Sequence, residues 1–179
     1  MIITISGKPG AGKTTTGKIL AEKLGYKFYS MGDLRGEMAQ RIGLTIDEFN
    51  RLGEKEDWTD KKVDDYQKEL GETSDNLIID GWISFHFIPN SFKVFLEVDP
   101  KVAAERVFQD QRPDEEYVRS PEIMEKVLKK RMEDSRARYL KYYQVDFLEK
   151  SHYNLIIDTT NLSPEEVAKK ILEKIKNKL

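Results

Sequence analysis

The sequence predicts an α/β fold, a doubly wound parallel sheet with helices on both faces, and three observations predict it. Five short apolar runs punctuate an otherwise helical sequence, helices with readable ends fall between them, and a glycine-rich loop joins the first run to the first helix. The runs are Ile2–Ser6, Lys27–Ser30, Leu77–Asp80, Val94–Val98 and Leu155–Asp158. Short, nearly continuous apolar runs read as strands buried on both faces, as happens when crossover helices cover a parallel sheet. Ligands of such sheets bind beyond the carboxyl ends of the strands, so the chemistry is expected where these runs end.

The helices follow in order. Gly17, Leu20, Ala21 and Leu24 recur at helical spacing after the glycine loop, and Gly25 stands where a left-handed cap ends a helix. Asp99-Pro100 and Ser120-Pro121 each place a capping side chain before a proline at the first helical position. Thr45 with Glu48 and Ser163 with Glu166 fit the reciprocal capping box, and the last helix turns Val167, Ala168, Ile171, Leu172 and Ile175 to one side. The stripe Val63, Tyr66, Leu70 reads as core or a helix interface. The long helical stretches from Gly32 to Gly71 and from Gln109 to Tyr143 read as insertions bordering the site.

Composition limits the chemistry. A chain of 179 residues suits one domain. A formal charge of -2 gives no global reason to bind nucleic acid or an anionic membrane, so anion binding must be local. There is no cysteine and only two histidines, His86 and His152, which excludes a disulfide framework and a thiolate metal site. No apolar stretch spans a bilayer and no secretory signal precedes the first strand, so a cytoplasmic protein is expected.

The firmest chemical signal is Gly7-Lys8-Pro9-Gly10-Ala11-Gly12-Lys13-Thr14, which matches G-x-x-x-x-G-K-[ST] between a strand and a helix. Glycines let the backbone curl so that amide groups converge on an anion at the positive end of the helix. Lys13 is expected at the β- and γ-phosphates of a bound nucleotide and the Thr14 hydroxyl on Mg²⁺, with Thr15 continuing the cradle. The third run ends in a single aspartate, Asp80, followed directly by Gly81; there is no N-K-x-D guanine-reading sequence and no strand-terminal Asp-Glu pair of the kind that activates water. A small kinase is favoured over a GTPase switch or a motor ATPase.

Six of the nine arginines (Arg106, Arg112, Arg119, Arg131, Arg136 and Arg138) follow the fourth run. Arginines carried by a closing lid stabilise the charge that spreads over a transferred phosphoryl group. The competing reading is a solvated helix face on which they pair with Glu125, Glu133 or Asp134. Asp33 fits either a ligand contact or a helix cap, and Asp80 either a role through a Mg²⁺-bound water or the mere ordering of Lys13.

Taken with the loop, the Gly32-Asp33 turn after the second strand, Ile79-Asp80-Gly81, Ala104-Glu105-Arg106, the Arg131 and Arg138 pair beside Tyr139, and Asp158-Thr159-Thr160-Asn161-Leu162-Ser163 resemble the cytidylate kinases, particularly the short archaeal type, over almost the whole chain. The resemblance implies a P-loop NTPase fold with a five-stranded sheet in the order 2-3-1-4-5. It also implies a nucleoside monophosphate-binding insertion at 32–71 and a lid at 109–119. It implies transfer of the ATP γ-phosphoryl group to CMP or dCMP with Mg²⁺ by a monomer, with no nucleic acid or membrane partner.

By the same resemblance, Arg106 lies over adenine, with the loop holding Thr160 and Asn161 beside it. Arg112 is a lid arginine, Arg131 and Arg138 grip the transferred group, and Asp33 and Arg35 hold the acceptor together with Asp80 and Gly81. One departure stands out. Trp82 follows Gly81 where such kinases carry an arginine for the acceptor phosphate, which leaves Arg35 or Arg41 for that task; a tryptophan gives no bidentate, charged grip. An adenylate kinase-like or other small-metabolite kinase and an ATP-dependent switch or assembly factor remain as alternatives.

Overall fold

The computed structural model describes residues 1–53, 55–56, 58–112 and 115–176. Its strands are β1 (Ile2–Gly7), β2 (Lys27–Ser30), β3 (Leu77–Asp80), β4 (Phe92–Glu97) and β5 (Leu155–Asp158). The helices are α1 (Lys13–Leu24), α2 (Met31–Arg41), α3 (Ile46–Gly53), α4 (Trp58–Thr73), α5 (Ser84–Phe87), α6 (Pro100–Gln109), α7 (Pro121–Tyr143) and α8 (Pro164–Lys176). All strand pairs are parallel, in the order β2-β3-β1-β4-β5. Connections leaving β1 run toward β2, whereas those leaving β4 run toward β5. The crevice of an open α/β sheet opens where the winding reverses in this way, at the carboxyl edge.

Register brings the strand ends together. Asp80 stands opposite Ile5 on β1 and opposite Ser30 on β2, so Ser30, Asp80 and Gly7 finish along one edge. The strands that hold this edge are inaccessible: Ile3, Ile5, Ile78, Val94 and Leu96 are fully buried. On one face α8 lays Val167, Ala168, Ile171 and Ile175 against Leu20 and Ala21 of α1, with Leu172 half-buried at the margin. A second cluster seats Met31, Val63 and Leu70 on Leu77 and Ile79, with Tyr66 packed beside them, so the α4 stripe is core. A third gathers Phe85, Phe95, Tyr139 and Phe147. The histidines serve packing, His152 stacking on Phe85 and His86 edge-on to Phe87.

The expected caps are present. Gly25 ends α1 at φ 67°, a conformation open to glycine without a Cβ penalty. Asp99 accepts from the Lys101 and Val102 amides, Ser120 from Ile123, and both capping boxes close reciprocally.

Three expectations are corrected. The fourth strand begins at Phe92 rather than Val94, because pairing with β1 extends past the purely apolar run. Gly32-Asp33 is not a turn: Ser30 accepts from the Asp33 amide and α2 starts at Met31, directly from the strand. The stretch from Gln109 to Tyr143 is mostly one helix, α7, which buries Met124 and Leu128 in the main cluster and Tyr139 in the third. It is a core element as well as a border of the site.

Ile171, fully buried between α8 and α1, tests this packing. Ile171→Ala should destabilise the fold by about 2–5 kcal/mol, seen as a lower urea midpoint at unchanged slope.

Candidate active site

The loop after β1 is shaped by what a side chain would strike. Gly10 has φ 74°, and a Cβ there would come within 2.8 Å of the Ala103 backbone, so the loop lies tight against the start of α6. Gly12, also left-handed, precedes α1 without any side-chain cap, which leaves the first amides of that helix to an anion. Lys13 Nζ turns back and donates to the carbonyls of Gly7 at 3.1 Å and Lys8 at 3.0 Å, and it sits 5.4 Å from the centre of the Trp82 ring. Burial lowers the Lys13 pKa and the Asp80 carboxylate opposes that shift. Thr14 Oγ1 donates to Asp80 Oδ2 at 2.6 Å, and burial raises the Asp80 pKa against the pull of Lys13 and Thr14.

Cations converge on the cavity in front of this loop, which has a volume of about 310 Å³. Arg112 pairs with Asp33 at 3.0 Å, Arg131 with Glu115 at 2.8 Å, and Arg35 and Arg138 share Asp60 at 2.8 and 3.3 Å. Arg35 also donates to Asn50 Oδ1 and the Thr59 carbonyl. Each of these arginines lines the cavity, as do Lys13, Thr14, Thr15, Asp80, Gly81 and Trp82. Trp82 packs on Phe147, ring centres 4.6 Å apart, and also lines the cavity. It is an aromatic at a core margin, and Arg35 and Arg138 line the same cavity.

Helix α4 supplies a polar wall. Asp60, Val63, Asp64 and Gln67 follow one another at helical spacing on the cavity side. Gln67 donates toward Asp64 at 3.4 Å, Ser84 donates to Gln67 Oε1 at 2.6 Å, and Tyr143 donates to Asp64. Burial pushes the Asp64 carboxyl up to about 6, with Tyr143 pulling the other way.

A second cavity, about 360 Å³, opens on the other side of the loop and is lined by Gly10, Ala11, Gly12, Thr15, Arg106 and Thr159 among others. Arg106 donates to the carbonyls of Thr159 at 2.9 Å and Thr160 at 3.1 Å, which fixes its guanidinium over this recess.

A family model described as the cytidylate kinase-like family matches residues 2–161. The chain belongs to that family. A cytidylate kinase of Methanobrevibacter smithii is 35% identical over 98% of this chain and 99% of its own length, and one of Archaeoglobus fulgidus is 36% identical over 99% and 96%. Among solved structures, shikimate kinase from Bacteroides thetaiotaomicron superimposes with a TM-score of 0.66 at 21% identity, covering 98% of both chains, a likeness of fold alone.

Of the residues expected in a cytidylate kinase site, the main cavity gathers Pro9, Gly10, Gly12, Lys13, Thr14, Thr15, Arg35, Asp80, Gly81, Arg112, Arg131 and Arg138. Asp33 reaches it through its pair with Arg112. Gly7 and Lys8 contribute carbonyls to Lys13, and Ala11 and Arg106 line the second recess. Two groups lie elsewhere. Arg41 is 79% exposed beside Glu37 at the far end of α2 and lines neither cavity, because six residues of helix carry it away from Arg35. Thr160 and Asn161 face a separate shallow surface with Asp158 and Lys170, and only their neighbours Thr159 and Leu162 border the recess. Residues 54 and 57 of the expected acceptor-binding insertion and residues 113 and 114 of the expected lid lie outside the described residues.

Sequence reasoning missed Asp60, Asp64, Gln67, Ser84 and Glu115. The first three carried a usable signal, polar residues at helical spacing beside an apolar stripe, which marks a helix face that is buried but not greasy.

Asp64 makes stability depend on pH. Its carboxyl is raised from 3.8 to about 6, so between those values the folded protein holds a proton that the unfolded chain has released. Its contribution is complete below the unfolded value and is lost as pH rises through the folded one. Asp64→Asn should therefore flatten the fall in stability between about pH 4 and about pH 6.5, an effect on the order of 2 kcal/mol by urea denaturation.

Proposed function

We propose that this chain transfers the γ-phosphoryl group of ATP to CMP, or dCMP, giving ADP and CDP. One observation carries the reading: a phosphate loop with its lysine and four arginines line the same cavity, which lets two anionic substrates meet there. Relatives named cytidylate kinase, similar over their full length, support the choice of acceptor.

In this reading a phosphate oxygen of CMP attacks the γ-phosphorus in line, the new P–O bond forms as the bond to the β–γ bridging oxygen breaks, and ADP leaves with that electron pair. The acceptor is already an anion, so no residue has to remove a proton from it. The loop amides from Gly7 to Thr15 hold the triphosphate, and Lys13 swings from its carbonyl partners to the β- and γ-phosphates. Arg131, Arg138 and Arg112 neutralise the equatorial oxygens as charge spreads, the largest single contribution in this class of reaction. Arg35, with Asp33, Asp80 and Gly81 at the strand ends, holds the acceptor side. The ATP adenine fits the second recess against Arg106, with Thr159 and Leu162 beside it.

The Thr14 hydroxyl, 2.6 Å from the Asp80 carboxylate, would hold a magnesium directly and Asp80 would hold it through a bound water; the ion would neutralise β- and γ-phosphate charge. Residues 32–71 form the acceptor-binding part and 109–119 the lid. Arg112 and Glu115 on the latter already reach Asp33 and Arg131 across the site. No helix among the described residues is long and apolar enough to cross a membrane.

A coupled assay with Mg-ATP over CMP, dCMP, UMP, AMP, GMP and shikimate tests the proposal: CMP or dCMP should give the highest kcat/KM. ATP binding with no turnover of any nucleoside monophosphate would defeat it, and turnover only with a macromolecular partner would favour a switch. Lys13→Ala and Arg131→Ala should each lower kcat with CMP by roughly 10²–10⁴-fold in protein that still unfolds cooperatively, and near-normal kcat in both would refute the assigned roles.

A further inference from the structure

We propose that Asp64 and Gln67, neighbours on the cavity face of α4, read the amidine edge of the acceptor base and so select cytosine over uracil. The inference rests on the kinase reading above and concerns the same cavity, whose phosphate-handling groups leave this pair unused. Cytosine presents a ring nitrogen that accepts and an exocyclic amine that donates; uracil presents the reverse, a ring N–H and a carbonyl oxygen. A pocket separating the two needs an acceptor and a donor side by side.

Helix α4 supplies that pair. Asp64 and Gln67 are three residues apart on one helical face and both line the cavity. The Asp64 carboxylate is an acceptor for the amine. The Gln67 amide is orientated by Ser84, which donates to its Oε1 at 2.6 Å, so its nitrogen points toward Asp64 at 3.4 Å and keeps a second N–H for the ring nitrogen. Tyr143 donates to Asp64 from behind and fixes the carboxyl. Both side chains are nearly inaccessible, 5% exposed for Asp64 and 3% for Gln67, so their hydrogen bonds are made away from water. Buried polar groups set for one partner reject its inverse strongly, because uracil would set its N–H against the amide donor and its carbonyl against a carboxylate.

The charged neighbours have other tasks. Asp60 is occupied by Arg35 and Arg138, and Trp82 and Val63 offer apolar surface for the ring faces.

The test measures kcat/KM for CMP, UMP and AMP in the wild type, in Asp64→Asn and in Gln67→Glu, with calorimetric binding of CMP and UMP alongside. Asp64→Asn keeps shape while replacing an acceptor by a group that can donate to the uracil carbonyl. The CMP-to-UMP ratio should fall on the order of 100-fold in each variant, through loss for CMP and not through equal loss for both, with the KM for ATP near wild type and cooperative thermal unfolding retained. AMP carries the same edge on a larger base, so any AMP activity should fall together with that for CMP. A parallel loss for CMP and UMP, or an unchanged ratio in a folded variant that still turns over CMP, would overturn the assignment while leaving the kinase reading intact. If the wild type phosphorylated no nucleoside monophosphate, the kinase reading would fail, and calorimetry would still decide the pair: equal affinity of the wild type for CMP and UMP overturns it, and a CMP preference lost in both variants sustains it.

Discussion

The structure is governed by the need to keep five cations together at one cavity. Lys13, Arg35, Arg112, Arg131 and Arg138 all line it, and like charges gathered at the edge of a sheet repel one another unless each has an acceptor. The protein provides these from its own chain: backbone carbonyls of Gly7 and Lys8 for the lysine, and Asp33, Asp60 and Glu115 for the arginines. Burial of Lys13 and Asp80 displaces their proton affinities in opposite directions, which marks an interior where charge is tolerated only when paired.

These pairs differ in how firmly they are held. Arg112 and Asp33 are nearly half exposed, 43% and 45%, and such a pair contributes little to stability and exchanges readily for a phosphate. Arg35, Asp60 and Arg138 are almost sealed, at 9%, 4% and 5%, and breaking that group would strand a charge in the interior. The rigid triad therefore joins α2, α4 and α7 into one frame, while the exposed Arg112 sits on the segment between α6 and α7. In the reading proposed above, this frame would hold Arg35 for the acceptor and Arg138 for the transferred group, while the more exposed Arg112 would close over them and exclude water.

Much of the frame was legible in the chain. The glycine loop between an apolar run and a helix, the proline-led caps of α6 and α7 and the two capping boxes are local devices, and each formed as its residues dictate. The departures have a common cause. Phe92 joined β4 because pairing across the sheet outweighs a local polar residue, Lys93, and Asp33 entered a helix because Ser30 offered a cap at the end of a strand. Arg41 looked as good as Arg35 on paper, but helical geometry separates them, leaving one in the cavity and the other in solvent. The polar face of α4 escaped notice because its partners, Ser84 and Tyr143, are 17 and 79 residues distant from the groups they meet.

By itself, then, the sequence determined the strands, the helix ends and the loop that accepts a phosphate, since these depend on residues within a few positions of one another. It also carried the family signature over nearly its whole length. Only the tertiary structure decided which carboxylate each arginine finds, which of two nearby arginines reaches the cavity, and that α4 offers its acceptor and donor there. Those choices rest on contacts between residues far apart in the chain, and the energy of a charge or a buried amide is set by its surroundings and not by its neighbours in sequence.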